Sequence, residues 1–122
     1  MTYLWLSLGG ALGTMARYLV SVSVAERVGV APVGTFVANV SGSLLIGFLA
    51  VIFNQHVDLP PDLRRFVIIG VLGGYTTFST LAYDTARYME TGELTQAVLN
   101  ALGSLVVGVL AVFVGMALAR AL

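Results

Sequence analysis

The chain has 122 residues, 58% hydrophobic and only 10% charged, with six basic residues against six acids. Soluble domains carry roughly 25% charged residues, so this chain lacks the surface charge that holds a domain in water, and a soluble enzyme is excluded. The absence of cysteine excludes disulfides and thiolate chemistry, the single histidine, His56, excludes a histidine metal cluster, and all six basic residues are scattered arginines, which excludes a nucleic-acid patch.

An α-helix needs about 20 apolar residues to cross the ~30 Å hydrocarbon core, and four stretches meet that length. The first runs over residues 3–24, interrupted only by Arg17. It has no basic segment before it, so it reads as a retained helix and not as a cleaved signal. Glu26-Arg27-Val28-Gly29 and Pro32 end it, and the second span covers residues 33–54. Asn54–Asp62, with Pro60 and Pro61, leads to the third span at 64–89, and Glu90-Thr91-Gly92-Glu93 leads to the fourth at 94–121. The fold class is an all-α integral membrane protein, a single domain of four transmembrane helices over residues 1–122. Both termini share a side, and Tyr3, Trp5 and Tyr88 suit the interfacial aromatic belt.

Orientation follows the Lys/Arg bias of short loops. The terminal side carries Arg64, Arg65 and Arg120, the opposite side Arg27 and Arg87, joined by Arg17 if it snorkels that way. Such a count directs no single orientation, so the chain is expected to insert both ways, and an antiparallel two-fold homodimer is then the simplest closed assembly. Fourteen glycines supply the packing, because lipid gives helices no hydrophobic reason to associate and small residues let backbones approach. Small residues four apart recur in every span: Gly9/Gly13, Ala38/Gly42, Gly70/Gly74, Ser104/Gly108 and Ala111/Gly115.

Polar groups at membrane depth are costly and usually face protein or a water-filled path. Arg17, Asn39, Asn100, Ser104 and the run Gly73-Gly74-Tyr75-Thr76-Thr77-Phe78-Ser79-Thr80 therefore need an account. The run reads as a helix broken near the middle of the third span, exposing carbonyls and amides that can bind ions. A continuous helix whose hydroxyls bond back to the i−4 carbonyl is the other possibility. Asn39 offers an amide donor without full charge, or an interhelical hydrogen bond. Phe78 offers an electropositive ring edge, or plain packing. Arg17 is either an anion-attracting charge or half of an ion pair, for which Asp84 is the obvious partner, and both can also snorkel to the interface. Nothing assembles acid, base and nucleophile, so a small permeant ion fits better than catalysis.

Three blocks, Gly9–Tyr18, Gly34–Gly42 and Gly73–Thr80, together resemble the Fluc/CrcB family of fluoride channels in order, spacing and span number. The resemblance implies a passive fluoride channel of the cell membrane, exporting cytoplasmic fluoride and conferring fluoride resistance, built as an antiparallel, dual-topology homodimer with two pores. By matching position it implies a pore lined by Asn39, Phe78, Ser79 and Thr80. The backbone carbonyls of Gly73 and Thr76 would hold a structural Na⁺ at the dimer interface, with Arg17 and Asp84 as supporting charges and no organic cofactor. Asn100 and Ser104 fall where polar pore residues of the fourth helix are expected. The chain departs from the pattern at Leu81, where many members carry a second pore phenylalanine.

Two other functions compete. A small multidrug-type exporter is also four-helical and dual-topology, but generally places an acid deep in its first helix, where this chain has Arg17. A structural subunit of a larger membrane complex would need only the packing glycines, and it leaves Asn39 and the Gly73–Thr80 run without a purpose.

Overall fold

Helix α1 (Thr2–Val28) stops where Gly29 takes a left-handed conformation, φ 78°, and returns its N–H to the Ala25 carbonyl. After Val30 in an extended conformation, Pro32 lies in the first turn of α2 (Ala31–Gln55), where its missing N–H costs nothing. After a turn at His56, an irregular connection reaches Pro61, which opens the third span, Pro61–Glu90. A second left-handed glycine, Gly92 at φ 78°, turns the chain into the last helix (Leu94–Arg120). The computed structural model describes all 122 residues, and four helices in it are long and apolar enough to cross a membrane.

The third span is composite. It begins as a short helix α3 (Pro61–Arg65), continues as a π-helical segment Phe66–Leu72, and closes one α-turn, α4 (Gly73–Tyr75). Thr76 (φ −92°, ψ 157°) and Thr77 (φ −149°, ψ 122°) are extended, and α5 (Phe78–Glu90) resumes with the Thr77 hydroxyl accepting from the Thr80 N–H. The joined span bends by only 16°. The π-helical segment is absent from the sequence reading. Its five-residue turn sets the carbonyls of Phe66 and Val71 over Gly9 and Gly13, which are four apart on α1.

Half of the buried residues are glycine. The others are Thr35, Ala38, Ala97, Ser104 and Ala119, with only Val51 and Leu72 larger. Backbone meets backbone in this interior, and the large apolar side chains turn outward, as expected where lipid is the solvent. Gly9 and Gly70 face each other so closely that a Cβ on either would stand 2.9 Å from the other's Cα. A Cβ on Gly74 would come within 2.7 Å of the Gly10 carbonyl oxygen. On the other side of α2, Gly47 lies against Val112 of the last helix, which we call α6, and Gly115 of α6 lies against Leu44. Gly34 receives the Ser21 carbonyl of α1. Gly108 of the expected pairs is looser, its nearest neighbour being Ser43 Oγ at 3.5 Å from a built Cβ.

These contacts place α2 between α1 and α6. The first half of the third span lies on α1 and its second half on α6, so the span passes across α2 with few contacts and leaves a groove. At the terminal end the span is tied down by polar bonds. Thr2 Oγ1 donates to Asp62 Oδ1 (2.8 Å), Arg65 pairs with the same oxygen (3.1 Å), and Arg64 donates to Asn54 Oδ1 (2.6 Å). Trp5 meets Phe66 edge to face, ring centroids 5.7 Å apart, beside the Gly9 contact.

Candidate functional site

A groove of about 830 Å³ opens between α2, the third span and α6. Its walls are mostly aliphatic, and none of its lining residues is charged. Polarity enters at a few points: Asn39 and Ser43 from α2, Thr76 and Thr77 from the extended pair, Thr85 from α5 and Ser104 from α6.

Asn39 reaches the extended pair with both ends of its amide. Its Oδ1 accepts from the Thr77 N–H (2.8 Å), and its Nδ2 donates to the Thr77 carbonyl (2.9 Å). The amide has two N–H donors, so one remains for the groove. In a continuous helix the Thr77 N–H would close onto the Gly73 carbonyl and the Thr80 N–H onto the Thr76 carbonyl. Here the first goes to Asn39 and the second to the Thr77 hydroxyl (3.3 Å). The carbonyls of Gly73 and Thr76 thus both lose the donor that a helix would supply. Uncharged hard oxygens of this kind suit an alkali cation.

Close approach of α2 to this pair depends on Gly42, where a Cβ would collide with the Thr76 methyl and stand 3.2 Å from the Tyr75 ring. Tyr75 is pinned by a 2.7 Å hydrogen bond between its hydroxyl and Ser41 Oγ. Back-bonding to the i−4 carbonyl occurs as well. Thr76 Oγ1 donates to Leu72 O (3.0 Å), Ser43 to Asn39 O (2.8 Å) and Thr85 to Leu81 O (2.8 Å).

The other sequence-selected residues divide. Phe78, at the start of α5, is 81% exposed and lines the groove, with Leu81 one turn further on the same wall. Ser104 is 7% exposed, and its hydroxyl has no hydrogen-bond partner. A buried polar atom left unsatisfied is uncommon enough to mark a place for a ligand or water. Ser79 and Thr80 are exposed beside the groove without lining it, their hydroxyls 3.3 and 3.2 Å from Thr77 Oγ1. Asn100 is turned away into a 3.0 Å bond to Thr85 Oγ1.

The sequence-based pairing of Arg17 with Asp84 does not form within the chain. Each is half-buried on a different part of the bundle without an ion pair or hydrogen bond, and the single ion pair is Arg65–Asp62. Both residues sit on helices that face outward over much of their length, so contact with each other would need another molecule or a different register. Thr77, which the sequence marks only as a member of the Gly73–Thr80 run, and Thr85, which it does not mark, also belong to the candidate site. A threonine directly before a helical turn is an N-cap signal, which would have found the first.

A family model described as CrcB-like protein, Camphor Resistance (CrcB), matches residues 4–116. The fluoride-specific ion channel FluC of Acidobacterium capsulatum is 48% identical over 117 residues, covering 95% of this chain and 94% of that protein. The FluC of Rhizobium meliloti is 45% identical over 115 residues, covering 93% and 92%. That of Hydrogenobaculum sp. is 40% identical over 115 residues, covering 94% of each.

Proposed function

The chain belongs to the CrcB family, and from that premise we propose that it is a passive, fluoride-selective channel that lets cytoplasmic fluoride leave across the cell membrane. The observation that carries this reading is the uncharged groove with isolated donors, the free N–H of Asn39 and the unpartnered Ser104 hydroxyl, beside the exposed Phe78 ring. A small anion gives up water for these donors and for the electropositive ring edge. A divalent anion would need full charges that the groove does not have. Hydrogen fluoride is a weak acid that crosses membranes neutral and ionises inside, and the trapped anion is driven out by ~2.3 kcal/mol per 100 mV of membrane potential. A channel suffices for that task, with no coupled ion and no catalytic step. A multidrug-type exchanger would need a titratable acid in the groove, and none lines it.

The working unit in this reading is an antiparallel, dual-topology homodimer with two pores, in which a second copy covers the groove. The near-even arginine distribution favours it. The interruption at Thr76 and Thr77 is then a functional break in the third span. The carbonyls of Gly73 and Thr76 would hold a Na⁺ between two copies, and their released state fits that role. Such an ion supplies a fixed positive charge and a brace at the contact of the subunits. Asn39 and Phe78 line the pore, Ser79, Thr80 and Asn100 support its polar edge, Ser104 offers its hydroxyl, and Arg17 and Asp84 act as outlying charges.

Purified protein in liposomes loaded with potassium fluoride should release fluoride rapidly when valinomycin is added, while chloride-loaded liposomes keep their anion. Release of neither anion from assembled protein would favour a structural subunit. Leu81 lines the groove one turn from Phe78, and leucine has no electropositive edge. Leu81→Phe is therefore expected to leave fluoride efflux unchanged or to raise it, measured in the same liposomes. Complete loss of efflux from a folded dimer would show that this position does not follow the family's geometry.

A further inference from the structure

The geometry points to a role for Asn39 beyond the pore wall: it is a positioning residue that keeps the third span open and so keeps the Gly73 carbonyl free. The helical ladder runs intact up to Thr76, whose N–H and hydroxyl both go to the Leu72 carbonyl at 3.0 Å. It fails at the next residue, where Asn39 Oδ1 takes the Thr77 N–H and Asn39 Nδ2 supplies a donor to the Thr77 carbonyl. One side-chain amide thus stands in for a neighbouring peptide on both edges of Thr77. Without it the Thr77 N–H has an alternative acceptor within its own helix, the Gly73 carbonyl four residues back.

The sequence does not forbid that closure: neither Thr76 nor Thr77 is followed by proline or held at a positive φ, and threonine accepts helical angles at a propensity cost of less than about 1 kcal/mol. What holds Thr77 extended is a bond from α2, 38 residues away in sequence. Asn39 is itself held in place, since its backbone carbonyl accepts from Ser43 Oγ and its neighbour Ala38 is fully buried. Thr77 completes the device by capping α5 with its hydroxyl, which withholds the Thr80 N–H from the Thr76 carbonyl. Asn39 and Thr77 therefore free one carbonyl each. The inference rests on the sodium reading of those carbonyls in its second consequence, but not in its first, which concerns the backbone alone.

The first consequence is a length. Two extended residues rise about 3.3 Å each where helical residues rise 1.5 Å, so closing the interruption shortens the span by roughly 3–4 Å. The chain has no cysteine, so spin labels can be placed at Ile69→Cys and Glu90→Cys, two exposed sites flanking the interruption. Their separation is measured by electron–electron double resonance, with labelled chains diluted into unlabelled ones. Asn39→Ala should shorten it by roughly 2 Å where the Thr77 cap persists and by roughly 3–4 Å where α5 closes with it, whereas Asn39→Asp, which keeps an oxygen for the Thr77 N–H, should hold the wild-type distance. The second consequence is a sodium dependence. The NaCl concentration that half-stabilises the dimer against heat, with choline chloride as balance, should rise about tenfold in Asn39→Ala and stay near wild type in Asn39→Asp, a factor worth ~1.4 kcal/mol. Phe78→Leu should leave both the distance and the sodium midpoint at wild-type values. An Asn39→Ala protein that loses fluoride efflux while keeping both would overturn the inference and leave Asn39 as a pore ligand only. Failure of the channel reading is separate, since it would appear as wild-type protein that moves no fluoride.

Discussion

Phe78→Leu is expected to lower fluoride efflux from liposomes by about tenfold or more, equivalent to ~1.4 kcal/mol on the barrier, while the protein assembles as before. The side chain is 81% exposed in the single chain, so its replacement removes little packing, and leucine keeps the volume class. What changes is electrostatic. An aromatic ring carries a positive edge and a negative face, and leucine carries neither. Phe78 follows directly on Thr77, whose hydroxyl caps the helix, so the ring is presented from the first turn of α5, where backbone N–H groups are also unspent. In the proposed channel a small anion at that point would meet the ring edge together with a helix N-terminus. Thermal stability within about 0.5 kcal/mol of wild type, with efflux reduced, is the expected pair of results. Unchanged efflux would take Phe78 out of the pathway.

The four spans were legible because crossing a bilayer demands length and apolarity, and both are local properties of a segment. Glycine pairs at Gly9/Gly13 and Gly70/Gly74 were legible too, since small residues four apart share one helix face. Gly34 and Gly47, which meet the Ser21 and Val112 carbonyls, went unmarked although Ala38 and Ser43 stand four residues from them. The spacing marks a face on which helices can meet, but the need for a bare Cα at these two positions comes from the neighbouring helix's carbonyls, which no local pattern encodes. The π-helical segment is of the same kind. Phe66–Leu72 is an ordinary apolar run, and its register follows from the seating of two of its carbonyls on α1. Asn39 shows the limit most clearly. Its presence in an apolar span flags a polar contact, but the contact joins residues 38 apart and engages both ends of the amide, which only the folded chain reveals. Arg17 and Asp84 show the converse, opposite charges that look like partners along the chain and are not brought together.

Gly13→Ala should destabilise the protein by more than the 1–3 kcal/mol usual for an extra methylene in a core, whereas Gly10→Ala, three residues earlier on the same helix, should be neutral or stabilising by up to ~1 kcal/mol. A methyl on Gly13 would fall on the Val71 carbonyl oxygen and within 2.9 Å of the Tyr75 nitrogen. Both are backbone atoms, so no rotamer change can make room, and the first half of the third span would have to back away from α1. Gly10 has nothing within 4 Å of the corresponding position, and alanine there gains helix propensity at no steric cost. Thermal unfolding in detergent, followed by size-exclusion chromatography, separates the two. Equal losses in both variants would mean that the Gly10 face is also covered in the assembled protein. The Gly13 contact reaches further than stability, because Val71 and Tyr75 bracket Gly73 and precede the interruption directly. Displacing them moves the Gly73 and Thr76 carbonyls relative to Asn39, which stays with α2. Gly13→Ala protein that remains folded should therefore lose fluoride efflux as well, although Gly13 itself does not line the groove.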